Sequence, residues 1–248
     1  MIGTKAWLIK ALAVAAISAG GLSAAEAQKK YGPGVTDTEI KLGQTMPYSG
    51  PASAYGTIGK VEAAYFQMIN DQGGINGRKI NLISYDDGYS PPKTVEQVRK
   101  LVESDEVLAT FQTLGTATNS AIQKYMNAKK VPMLFVSTGA AKFTDPKNFP
   151  WTIGYNPSYL TEAHVYAQYV LKEKPDAKIA LLTQNDDFGR DHLKGWKEAL
   201  GSKANMIVAE ATYEATDPTV DSQMLKLKAS GADVLFNGGT PKFAAQAI

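Results

Sequence analysis

Few residues in this chain could do covalent chemistry. His164 and His192 are the only histidines, and cysteine is absent. Two separated histidines are too few for a histidine-based metal cage. Without cysteine there are no disulfides, no thiolate metal sites and no cysteine nucleophile. Both histidines fall in predicted helices, where exposed or partly buried side chains are expected. No GxSxG elbow, GxxxxGK[ST] loop or GxGxxG fingerprint occurs. Two acidic pairs, Asp86-Asp87 and Asp186-Asp187, follow predicted strand ends. They could act as general acids and bases or hold a cation, but carboxylates there more often cap the next helix or solvate a loop. Tyr166 and Tyr169, three apart on a helix, read as packing residues more readily than as a pocket wall. The expectation is a protein that is not an enzyme and needs no cofactor.

Two other strand ends suit a carboxylate ligand. Thr113-Leu114-Gly115-Thr116-Ala117-Thr118-Asn119 joins a strand to a helix, with a close backbone approach at Gly115 and hydroxyls at Thr116 and Thr118. Ser137-Thr138-Gly139-Ala140-Ala141 follows the next strand with equally small residues. Backbone N–H groups at a helix N-terminus lack internal partners and carry partial positive charge, which favours an anion. Small residues and hydroxyls at such junctions are usually caps and turns. Two on successive strands strengthen the binding reading.

The elements that must position these loops alternate regularly. Strands are expected over 40–46, 80–85, 107–113, 131–136, 179–183, 206–213 and 234–237. Helices are expected over 53–71, 92–104, 117–128, 159–171, 190–200 and 219–229, with a further one opening near Phe243. On the first helix Val61, Ala64, Tyr65, Met68 and Ile69 form one apolar stripe. Gly73-Gly74-Ile75-Asn76-Gly77 ends that helix. Such βαβ units imply an α/β fold with parallel sheets and helices on both faces. A Gly-, Pro- and aromatic-rich stretch over 137–157 divides them into two sets, hence two lobes, with ligand-binding loops facing each other.

The first 27 residues read as an export signal. Lys5 and Lys10 precede a short apolar run over 11–22, and Ala25-Glu26-Ala27 is a small-x-small cleavage site, with cleavage after Ala27. That run is shorter than the ~20 apolar residues of a membrane span. Residues 28–36 read as a flexible tail. Removing Lys5, Lys10 and Glu26 takes the net charge from +2 to +1, which gives no reason to expect nucleic acid. The domain reading is 1–27 signal, 28–36 tail, 37–154 first lobe and 155–248 second lobe.

Several motifs together resemble those of the periplasmic binding proteins of the leucine/isoleucine/valine type, receptors of branched-chain amino acid ABC importers. Ile40-Lys41-Leu42-Gly43 leads to Tyr48-Ser49-Gly50-Pro51-Ala52 and Ala54-Tyr55-Gly56, similar to that family's opening strand and first binding loop. Gly73-Gly74-Ile75-Asn76-Gly77-Arg78-Lys79 is similar to its signature turn, and Tyr85-Asp86-Asp87 to its second strand end. Asn185-Asp186-Asp187-Phe188-Gly189 resembles the loop after the first strand of the second lobe. The resemblance runs from Val35 to the C-terminus.

It implies a type I binding-protein fold: two Rossmann-like lobes, joined by three crossovers, that close on a small organic acid or amino acid. It also implies a periplasmic monomer that serves an inner-membrane ABC permease and binds no nucleic acid. A periplasmic sensor that presents its ligand-bound form to a signalling partner would use the same clamp. Tyr55 is expected to line the first-lobe wall. Gly115 and Thr116 fall at the loop that holds the ligand carboxylate, and Gly139, Ala140 and Ala141 at the loop that offers a carbonyl and a hydroxyl. Tyr155 and Phe188 add aromatic walls, and Thr240 stands where tyrosine is frequent.

Amino acid binders of the family normally have a hydroxyl at the position of Ala141 and a serine at that of Gly115. Their second-lobe carboxylate, which holds the ligand ammonium, is expected past the end of this chain. Losing a hydroxyl that pairs with a buried ammonium costs about 1.5–3 kcal/mol. The ligand is therefore expected not to be a standard branched-chain amino acid. Leu114-Gly115-Thr116, Phe149-Pro150-Trp151 and Tyr155 are closer to relatives that take aromatic or other apolar carboxylic acids. Members of the family are also usually longer, so the chain reads as truncated, with apolar faces left uncovered.

Overall fold

In the computed structural model, which describes residues 31–248, the strands and helices expected from periodicity form two parallel sheets. The expected export signal lies outside the described residues, as do residues 28–30 of the tail. The rest of that tail is engaged rather than free. Gly34 carbonyl accepts the Lys41 N–H at 2.7 Å, and Val35 bridges Ile40.

The first sheet comprises β1 (Glu39–Met46), β2 (Lys79–Asp86), β3 (Ala109–Phe111), β4 (Met133–Val136) and β5 (Thr152–Gly154), in the order β2-β1-β3-β4-β5. Its connecting helices are α1 (Gly56–Asp71), preceded by one 3₁₀ turn, α2 (Pro91–Glu103) and α3 (Thr116–Lys129). β5 was not expected: three residues between Trp151 and Tyr155 are too few to show alternation. The second set holds α4 (Tyr159–Glu173), β6 (Ile179–Gln184), α5 (Asp187–Leu200), β7 (Ile207–Tyr213), α6 (Asp221–Ala229), β8 (Val234–Gly238) and α7 (Pro241–Gln246). Its strand order is β7-β6-β8. β6 is buried at every position, as the central strand of a sheet covered on both faces must be. Among the described residues no helix is long and apolar enough to cross a membrane.

Both orders place a switch point beside the first strand of the set. β1 lies between β2 and β3, and β6 between β7 and β8, so the loops leaving their carboxyl ends diverge and open a crevice. Among the described residues, the chain passes from the first sheet to the second set once, over 155–158.

Packing of α1 departs from the expected stripe. Val61 is 62% exposed, Tyr65 55% and Met68 44%. The face turned to the sheet instead carries Gly56 and Gly59 with the partly buried Glu62, Phe66, Ile69 and Asn70. A Cβ on Gly59 would come 2.4 Å from the Tyr48 hydroxyl, so glycine is what lets the helix approach there. Glu62 accepts from the Gln44 amide, and Asn70 clasps Ile80 through its N–H and carbonyl at 2.7 Å each. Polar clasps add to the partial burial of Phe66 and Ile69 in seating this helix. Its outer stripe stays uncovered, as do Phe135, Ile153 and Tyr155 at the β4–β5 end.

In the second set α4 packs on α5 over a core of Ala163, Ala167, Ile179, Leu181 and Trp196. Gly195 permits the contact: a Cβ there would stand 2.7 Å from Ala163 Cβ and 2.8 Å from the Leu160 carbonyl. Gly195→Ala should therefore destabilise the protein by about 1–3 kcal/mol, despite alanine's better helix propensity of about 1 kcal/mol. Urea unfolding measures it; a neutral or stabilising result would show that the two helices separate freely.

Candidate ligand-binding cleft

A cavity of about 330 Å³ lies between the carboxyl ends of the two sets of strands. From the first sheet it receives Tyr55 and Ile58 after β1, Tyr89 after β2, Leu114, Gly115 and Thr116 after β3, and Ser137 after β4. From the other side come Tyr159, Glu162 and Tyr166 of α4, Phe188 and His192 of α5, and the end of β8 through Thr240. Neither lysine nor arginine is among the lining residues, and Glu162 carries the one carboxylate.

The β3–α3 junction is built for its shape. Asn119 donates to the carbonyls of Thr113 at 2.8 Å and Gly115 at 2.7 Å, and accepts from Thr113 Oγ1 at 2.6 Å. Thr118 Oγ1 donates to the Leu114 carbonyl. Gly115 precedes α3 with φ 105° and no side-chain cap on the helix. The first-turn N–H groups of α3 thus open at the cavity wall beside Thr116 without a side-chain acceptor. A Cβ at Gly115 would come 2.5 Å from Thr118 Oγ1 and 2.6 Å from the Tyr89 ring. Serine, expected at this position in amino acid binders, does not fit this backbone. Thr116 Oγ1 pairs with Thr138 Oγ1 at 2.7 Å, and Thr138 Oγ1 also takes the Ala140 N–H at 3.1 Å.

Across the cavity Asp186 caps α5, accepting from Gly189 N–H at 3.3 Å and from Gln184 at 2.7 Å. Burial pushes its carboxyl above the ordinary aspartate value. This cap starts the helix three residues before the expected Arg190, and puts Phe188 and His192 one turn apart on the cavity wall. His192 is 2% exposed. Its ring lies 4.9 Å from Tyr159, 5.1 Å from Phe188 and 5.0 Å from Phe236, with Nε2 3.8 Å from Glu162. Thr240 N–H donates to the Tyr213 hydroxyl at 2.8 Å; burial pushes that hydroxyl up to about 12.

Of the residues singled out from sequence, Tyr55, Gly115, Thr116, Phe188 and Thr240 meet at this cavity. Gly139, Ala140, Ala141 and Tyr155 lie outside its lining. Gly139 carbonyl is engaged by the Tyr159 N–H at 2.9 Å, and Ala140 is packed in the first-sheet core. Ala141 N–H donates instead to Asp191 of α5 at 2.8 Å, and Lys142 pairs with Asp187 at 3.0 Å. Together they latch the two sides. Tyr155 is 68% exposed and stacks edge-on to Phe135.

Sequence reasoning missed Tyr89, Glu162 and His192, did not single out Tyr159, and read Tyr166 as packing although it lines the cavity. The face shared by Tyr159, Glu162 and Tyr166 at positions i, i+3 and i+7 was available as a signal, as was Asp186 capping the helix that carries Phe188 and His192.

Residues 39–248 match the sequence profile of a family described as "Periplasmic binding protein". The chain is 26% identical over 207 residues to Leu/Ile/Val-binding protein homolog 3 of Brucella melitensis, covering 81% of this chain and 54% of that one. The fold is similar to a substrate-binding periplasmic protein from Ralstonia solanacearum, with TM-score 0.77, 28% identity, and coverage of 85% of this chain and 59% of that one. It is also similar to a fatty acid ABC transporter substrate-binding protein from Thermomonospora curvata, with TM-score 0.70, 25% identity and coverage of 83% and 52%. The chain spans about half the length of the curated relatives it matches.

The caged imidazole gives the cleft a pH signature. Burial holds His192 below the ordinary histidine value, opposed by the charges of Glu162 and Asp191. The unfolded chain therefore binds a proton at a pH where the folded protein does not, and stability falls as pH drops below about 6.5. The slope from this one group is at most about 1.4 kcal/mol per pH unit. Urea unfolding of His192→Gln between pH 7.5 and 5.5 should show a flatter dependence than the wild type. Parallel curves would mean that the folded imidazole takes up its proton as freely as the unfolded one.

Proposed function

The chain belongs to the periplasmic binding protein family, and from that premise we propose that it is the extracytoplasmic receptor of an ABC importer for a small apolar carboxylic acid. The observation that carries this reading is the asymmetry of the cleft. One wall offers the uncapped N-terminus of α3 and the Thr116 hydroxyl; the other offers Phe188, His192, Tyr159 and Phe236. A carboxylate fits the first wall, because N–H and O–H donors satisfy it without a cationic side chain. An aromatic or other apolar body fits the second, since stacked and edge-on ring contacts favour flat or aliphatic surface.

The names of similar proteins agree with that chemistry. Leucine, isoleucine, valine and fatty acids all join an apolar body to a carboxylate. Glycine at position 115 lacks the hydroxyl expected there in amino acid binders, which favours a different kind of acid. In this reading the protein is monomeric, performs no covalent chemistry, and is delivered to the periplasm by cleavage after Ala27. It passes its ligand to an inner-membrane permease after the lobes open. The exposed Lys142–Asp187 pair is worth about 0–1 kcal/mol, so closure on the ligand would be reversible.

A thermal-shift screen of the mature protein against branched-chain and aromatic amino acids, benzoates, phenylpropanoids and aliphatic acids tests this. A ligand at about 100 times its Kd adds about 2.7 kcal/mol of stability, enough to raise Tm by about 5–10 °C in a chain of this size. The expected result is a shift with one class of acids and no micromolar binding of leucine. Thr116→Val should weaken the best acid about tenfold to a hundredfold. Micromolar leucine binding overturns the ligand class, and no shift with any acid overturns the carboxylate reading.

A further inference from the structure

A second cavity, of about 870 Å³, continues the same cleft on the far side of Tyr89. Tyr89 is the one residue that lines both. The division falls between consecutive residues on each side. Ala54 faces the outer cavity and Tyr55 the inner one; Pro241 faces the outer and Thr240 the inner. The outer cavity has Pro51, Pro91, Pro92, Pro241, Ala54 and Ala215 in its wall. Ser53, Ser90, Thr216 and Asp217 stand among them, and the cavity's one ammonium, Lys242, is turned onto the Asp217 carbonyl at 2.8 Å.

We propose that the Tyr89 ring is the partition that sets the length of ligand the cleft accepts, and that behind it lies an apolar extension able to take the tail of a longer carboxylic acid. This rests on the carboxylate reading of the inner cavity.

Three features hold the ring in place. Its residue has φ 60°, a left-handed conformation that bulky side chains rarely adopt. Its N–H is tied to Asp87 Oδ1 at 2.9 Å, and Asp87, fully buried, is itself held by Thr94 Oγ1 at 2.9 Å. Gly115 makes room for it, since any Cβ there would strike the ring. The ring is 7% exposed although it stands between two open spaces, so the neighbouring loops grip it tightly. A carboxylate seated at Thr116 therefore has its apolar body confined on the Tyr89 side, whereas the prolines and alanines beyond offer surface that methylene or aryl groups can cover.

Isothermal titration with two homologous series tests the partition: straight-chain carboxylates from butanoate to dodecanoate, and ω-phenyl carboxylates of increasing chain length. Wild type should bind short members and lose affinity sharply beyond a cut-off. Tyr89→Gly removes the ring and suits the left-handed backbone, so it should move the cut-off by several carbons and bind the longer acids at least tenfold more tightly than wild type does. Tyr89→Asn also tolerates that backbone and should shift the cut-off in the same direction, which guards against a folding defect in the glycine variant. Tyr89→Phe keeps the wall and should keep the wild-type cut-off. If the glycine and asparagine variants bind short acids like wild type with an unchanged cut-off, the partition is wrong while the carboxylate reading stands. A phenylalanine variant that shifts as far as the glycine one would move the effect to the hydroxyl and also overturn it. If wild type binds no carboxylate of either series, both readings fall together.

Discussion

The constraint on which the cleft depends is the left-handed backbone at Gly115. A capping side chain at the start of α3 would take one of the first-turn N–H groups. Glycine at φ 105° makes the turn without one, and the work of fixing the junction passes to Asn119 and Thr113 on the side away from the cavity. The donors at the helix start are left for something else. The same absent Cβ admits the Tyr89 ring, so the open start of α3 and the wall behind it are two consequences of one residue type. That coupling explains why a serine there, expected in amino acid binders, does not fit this arrangement.

The opposite wall obeys a different logic. α5 carries Phe188 and His192 because Asp186 caps it immediately after β6, and the buried carboxyl is tolerated because Gln184 and the Gly189 N–H satisfy it. Asp187 beside it serves another purpose. Burial pushes its carboxyl up, but Arg190 and Lys142 outweigh that and hold it below the ordinary value. The adjacent pair is thus divided: one member fixes the helix, the other reaches across to Lys142. Neither resembles an acid–base dyad, since each carboxylate is committed to structural donors.

Much of this architecture is written in periodicity. β6 opens with an apolar run over 179–182 after Lys178, and such a run fits a central parallel strand. Parallel pairing follows from βαβ alternation, whereas the strand order that makes the two switch points does not; Gly115 and Thr116 stood out because they form a short hydroxyl-rich loop at a strand end. Legibility failed where polar groups decide the packing. The stripe of Val61, Tyr65 and Met68 has the right period for a buried face, yet α1 turns Gly59, Glu62 and Asn70 inward. Hydrophobic pattern ranks faces by transfer energy, and a face held by specific hydrogen bonds to Gln44 and Ile80 does not register on that scale. His192 was misjudged for a related reason. A histidine on a helix reads as surface unless its neighbours are known, and here three rings from two other segments and its own helix enclose it.

The uncovered apolar surface follows from the same facts. α2 and α3 cover one face of the first sheet, burying Val98, Ile122, Met126 and Met133 beneath them. On the other face α1 reaches only as far as Phe66 and Phe111, 5.3 Å apart; the ring series then continues through Phe135 to Tyr155 with nothing over it among the described residues. Isolated exposed aromatics are ordinary, but a contiguous row is not, because each ring left in water forgoes roughly 25 cal/mol per Å² of buried area. The row does not disturb the cleft. Its strands are pinned from the covered face, and the loops that line the cavity leave their carboxyl ends through hydrogen bonds such as Ser137 N–H to the Thr113 carbonyl at 2.9 Å. The lining of the cavity and the coverage of the sheet are therefore separable properties. The first is decided by the loops at one end of the strands, the second by the face along their length.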